Sequence, residues 1–79
     1  MTPHLREGGR YVVKRFHAFF GETFQQGQRL ELLKIVAHTG ERYFYTEFHF
    51  RDQDTDGPRV WVIDGGHADE TGRDLFEAE

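Results

Sequence analysis

The 79-residue chain contains no cysteine and no serine, and has one methionine and two prolines. Without cysteine there is neither a disulfide nor a thiolate metal site, a composition compatible with a reducing compartment. Without serine or cysteine, nucleophilic catalysis would fall to threonine or lysine. Thr23, Thr39, Thr46, Thr55 and Thr71 sit in ordinary strand or turn contexts. Gly8-Gly9 and Gly65-Gly66 open no helix followed by lysine, as a phosphate loop would. No segment approaches the roughly 20 apolar residues of a membrane-spanning helix, and residues 1–9 lack the apolar run of a signal peptide. These absences lead us to expect a cytoplasmic protein that is not an enzyme, with no cofactor, no metal and no membrane partner.

What the chain has is aromatic side chains: eight Phe, three Tyr and one Trp. A domain this small buries only about 60–65% of its unfolded surface, so its core must be dense, and buried rings supply that density. Residues 1–79 read as one domain, with 1–8 and 77–79 expected to be loose. Charge is unevenly placed. Residues 1–51 carry eight Lys and Arg against five Asp and Glu, whereas residues 52–79 carry two against nine. Either the acidic end covers the basic first half, by folding back over it or by lying against it in a dimer, or Arg6, Arg10, Lys14 and Arg15 form a patch for an anion. The net charge of −4 favours the first.

Residues 42–51 give the clearest pattern. Phe44, Thr46, Phe48 and Phe50 alternate with Tyr43, Tyr45, Glu47, His49 and Arg51. This period of two is that of a strand with a Phe face towards the core. Residues 10–16, 29–38 and 59–63 read as further strands; Leu30, Leu32, Leu33, Ile35 and Val36 do not alternate cleanly and would also fit a helix, but the Thr39-Gly40 turn and the strand beyond it favour a hairpin. Residues 17–24 read as a long loop whose Phe side chains plug the core. Residues 69–79 hold a helical turn around Leu75 and Phe76 or a short closing strand. The fold class is therefore mainly all-β, a small antiparallel and partly open barrel of four to five strands, which limits exposed edges.

Gly9-Arg10-Tyr11-Val12-Val13, Phe16 and the run Phe20-Gly21-Glu22-Thr23-Phe24-Gln25-Gln26-Gly27-Gln28-Arg29-Leu30 resemble a family of uncharacterised bacterial SH3-like barrel domains. The Phe-rich strand and the ending Asp74-Leu75-Phe76-Glu77 are similar too, so the resemblance spans roughly residues 9–78. It implies an SH3-like barrel with a long Phe-rich loop and a short C-terminal helical turn. It implies no catalytic residues and no activity.

Two motifs suggest metals. Asp52-Gln53-Asp54-Thr55-Asp56-Gly57 reproduces the opening of an EF-hand loop, but the closing bidentate Glu is replaced by Ile63, and Pro58 follows the glycine. None of the five His has the helical spacing of a zinc pair. Glu47 and His49 could share a ligand or act as base and orienter, but a surface charge pair explains them more simply. Attention falls instead on the face opposite the phenylalanines. If Val60 and Val62 point inward with the Phe side chains, then Tyr43, Tyr45, His49, Arg59, Trp61 and Ile63 gather on one outer face. Aromatics with Arg have the composition of an interface, unless Leu75 and Phe76 cover them. The expected function is a small binding module for a protein partner, or for itself as a homodimer, with Tyr43, Tyr45 and Trp61 as anchors and Arg51 and Arg59 at the rim. A single-stranded nucleic-acid binder is the alternative that the acidic net charge disfavours. An inhibitor or immunity-type protein with an acidic C-terminal surface is a third.

Overall fold

The computed structural model describes residues 3–19 and 21–79. Its elements are β1 (Arg10–Val13), β2 (His17–Phe19), β3 (Glu22–Phe24), β4 (Arg29–Thr39), β5 (Phe44–Asp52), β6 (Pro58–Asp64), a 3-10 turn (Gly65–His67), α1 (Ala68–Leu75) and β7 (Phe76–Ala78). Five strands form one antiparallel sheet in the order β6-β5-β4-β1-β7, and β2-β3 is a separate hairpin. The expectation of a mainly antiparallel β fold with a short C-terminal helix holds. The strand count is higher than expected, because the 17–24 segment forms two short strands and Phe76–Ala78 forms another. Among the described residues the sheet does not close: β6 and β7 each have one hydrogen-bonded neighbour.

The core lies on one face of the sheet. Thr46, Phe48 and Phe50 of β5 are buried there, as the alternation predicts, and Asp52, which reads by sequence as the start of a polar turn, extends the strand and is buried on the same face. Phe44 departs from that expectation. It opens β5 opposite Thr39, beyond the reach of the core, and is 50% exposed. In β6 the inward residues are Trp61 and Ile63, which lie opposite Phe48 and Thr46. The Trp61 ring packs 5.1 Å from both Phe48 and Phe76, and Phe76 stacks on Phe50 at 5.2 Å. Such contacts contribute beyond the area they bury.

The irregular pattern of β4 has a specific cause. A bulge lies between Leu32 and Lys34, where Leu33 is left 52% exposed. One extra residue reverses the parity of the strand. Leu30 and Leu32 therefore face the core before the bulge, whereas Ile35 packs against it after the bulge.

The expected long Phe-rich loop is a hairpin. Phe24 is fully buried, and His17 stacks on it at 4.7 Å while meeting Phe76 edge-on at 5.4 Å. Phe20, also expected to plug the core, lies outside the described residues.

The N-terminal segment expected to be loose is tied down from His4 onward, where the His4 amide donates to Asp69 at 2.8 Å. Leu5 is buried, and the Tyr11 hydroxyl accepts from the Arg6 amide at 2.8 Å and donates to the His4 carbonyl at 3.0 Å. At the other end, the Glu79 amide donates to the Arg10 carbonyl at 2.9 Å, so 77–79 is held as well. Helix α1 presses Gly72 against Leu5: a Cβ there would lie 2.9 Å from a Leu5 methyl carbon. Leu75 completes the buried side of the helix.

The acidic end does fold back over the basic first half. Arg15 pairs with Asp74, and Arg29 meets Glu79 at 2.9 Å. The 52–57 segment is a self-capped turn. Asp52 Oδ1 accepts the amides of Asp54 and Thr55, and its Oδ2 accepts from the Gln28 side chain at 2.6 Å. Asp56 turns away to Arg51. The acidic side chains are thus held apart by separate partners.

Candidate functional site

The outer face of β4, β5 and β6 is set by the pleat of β5 and by the bulge in β4. From β5 come Tyr45, Glu47, His49 and Arg51, all half-buried. Lys34 lies opposite His49, Val36 opposite Glu47 and His38 opposite Tyr45. On the other side, Val62 lies opposite Glu47 and Val60 opposite His49. The segment that could have covered this face goes elsewhere: Leu75 and Phe76 are buried in the core beneath the opposite face.

Along the face runs a line of rings joined to a carboxylate. Tyr43 and Tyr45 lie 5.8 Å apart, and His38 stacks on Tyr45 at 4.5 Å and 14°. Tyr43 is 59% exposed and rests over Gly40, where a Cβ would come within 2.5 Å of its ring. The Glu47 carboxylate then lies between two imidazoles. His49 Nε2 donates to Oε1 at 2.9 Å, and His38 Nε2 stands 3.3 Å from Oε2, at ion-pair distance without the alignment of a hydrogen bond. The hydrogen bond from His49 holds the Glu47 carboxyl below the usual carboxylate range; partial burial opposes this and His38 adds to it. Both oxygens therefore already have imidazole neighbours, and among the described residues no group of three or more His, Asp or Glu is arranged to hold a metal. Arg51 closes the far end, bound to Glu31 at 2.6 Å and to Asp56 at 2.5 Å, which raises its pKa.

Of the residues expected on one outer face, the structure brings together Tyr43, Tyr45 and His49. Trp61, Arg59 and Ile63 are corrections: Ile63 is buried on the inner face, opposite Thr46. Trp61 is fully buried, and Arg59 lies opposite Phe50 on the core face and 3.8 Å from Glu22. The expectation set Val60 and Val62 inward, but the register of the β5-β6 hairpin is one residue away from that. Such a slip moves every side chain of a strand to the other face. Val60 and Val62 are the outward pair. His38, Val36 and Val62 complete the face and were missed by sequence reasoning. His38 reaches Glu47 only through the bulge at Leu33, which has no sequence marker beyond broken alternation.

No known family model, no curated protein and no solved structure matches the chain.

Proposed function

We propose that this chain is a small SH3-like domain that works by binding a protein partner through the Tyr43–Tyr45–His38–Glu47–His49 face. Its strand sequence supports the architecture: a short first strand, a hairpin excursion, a three-strand meander, a 3-10 turn that runs on into helix α1, and a last strand returning to the first. The observation that carries the functional reading is the destination of the C-terminal segment. Leu75 and Phe76 serve the core, which leaves a tyrosine-bearing sheet face uncovered by them. Aromatic rings with a valine floor and a rim of Arg51 and Lys34 have the make-up of a contact patch. No catalytic role is needed to explain any side chain on it. Glu47 at its centre, and the net charge of −4, weigh against nucleic acid.

The test is affinity capture from cell extract with quantitative mass spectrometry, wild type against Tyr43→Ala/Tyr45→Ala. A protein recovered by wild type and lost in the double variant, with both chains folded by circular dichroism, supports the reading. Identical recoveries would remove it. Salt-sensitive binding of a labelled single-stranded oligonucleotide that needs the same tyrosines would replace it with the nucleic-acid reading.

A further inference from the structure

β6 is one border of the sheet, and among the described residues no backbone group bonds to its free side. Natural edge strands are shielded by shortness, charge or cover. β7, the other border, follows that rule: it has three residues, with Glu77 at its centre and Glu79 just beyond. β6 follows it poorly beyond Arg59, where Glu22 of β3 comes within 3.8 Å. It is seven residues long, and Val60-Trp61-Val62-Ile63 carries no charge between Arg59 and Asp64. A cavity of about 270 Å³, lined by Tyr45, Val62, Ile63 and Asp64, opens at its C-terminal end.

We propose that β6 pairs antiparallel with β6 of a second copy about a twofold axis at Trp61, joining two sheets into one. In such a pair, opposite residues must share a face. A register centred on Trp61 meets this condition along the whole strand. Val60 lies opposite Val62 twice on the outer face, and Arg59 lies opposite Ile63 on the inner face. Facing β-branched residues are favourable cross-strand partners. The same register sets Pro58 of the second copy opposite Asp64, beside the mouth of the apolar cavity. Pro58 is the first residue of its strand, the position where a missing N–H is tolerated. The contact is isologous, so it closes at two copies. It goes beyond the tyrosine-face reading and does not rest on it, because strand backbone rather than Tyr43 and Tyr45 carries it.

Light scattering over a concentration series tests the association. The particle mass should rise from 9.3 kDa towards twice that value. Val60→Lys/Val62→Lys should stay at the single mass, whereas Tyr43→Ala should dimerise as wild type does. The absence of cysteine permits a second test of register. An oxidised equimolar mixture of Val60→Cys and Val62→Cys chains should form a disulfide dimer much faster than either chain alone. A single mass at every concentration, or a dimer that survives the two lysines, would overturn the proposal. So would a mixture that cross-links no faster than its components, and this result decides the matter if the lysine variant fails to fold.

Discussion

The two faces of β5 and β6 use similar residue types for opposite ends. On the inner face, Phe48, Phe50 and Trp61 meet Phe76 from the C-terminal strand and Phe24 from the hairpin, and all are buried. On the outer face, Tyr45, Val60 and Val62 are half-buried by neighbours within the sheet. The aromatic content of a strand therefore does not say which side is the core. That is decided by which side the hairpin and helix α1 come to cover. The difference also separates stability from recognition, since the inner rings can be altered only at the cost of the fold.

Truncation of the inner anchor is the harshest test of this contrast. Trp61→Ala should cost about 3–5 kcal/mol, a large share of the stability of a domain this size, read as a lowered urea midpoint or outright loss of the transition. Were Trp61→Ala as mild as Val62→Ala, the assignment of the faces would be inverted. Next comes the polar end of the inner face. Asp52→Ala strips the turn of its side-chain cap and leaves Gln28 without its acceptor, so a loss of about 1–3 kcal/mol is expected, measured by the same unfolding curves.

The response to acid separates the faces more finely. Burial lowers the His17 pKa, the Gln28 hydrogen bond lowers that of Asp52, and the His49 hydrogen bond lowers that of Glu47. In each case the folded state binds fewer protons than the unfolded chain, so the contribution is full at higher pH and is lost as pH falls. The His17 part on the inner face fades as pH drops below about 6.5, whereas the carboxylate parts fade only below about 4–4.5. Ring-proton NMR of His17 should show a midpoint under that of an unfolded histidine. A midpoint at or above it would mean that the ring is not buried against Phe24 and Phe76. The smallest effect belongs to the outer face: Tyr43→Ala should change stability by no more than about 0.5 kcal/mol in thermal or urea unfolding. A much larger loss would make Tyr43 part of the core.

Much of the architecture can be read in particular residues. The alternation from Phe44 to Arg51 gives β5 and its inner face, whereas the Leu75-Phe76 pair, which by sequence suits a cover for the outer face equally well, packs into the core. The candidate face was half legible: Tyr43, Tyr45 and His49 follow from the parity of β5, but His38 and Val62 do not. The hairpin at residues 17–24 was hidden because its strands have only three residues each, too few for a period to show. The irregular turn at residues 53–57, with Asp56 at a φ of 62°, gives no parity of its own from which the placement of β6 could be inferred.

By itself, the sequence determined a cysteine-free, aromatic-rich, mainly β chain with one unmistakable amphipathic strand, because side-chain type and period act locally. Tertiary structure alone decided that Trp61 goes in and Val62 out, and that His38 meets Glu47. Those outcomes depend on strand register and on a single bulged residue, and a shift of one residue in either reverses a whole face while leaving local composition unchanged.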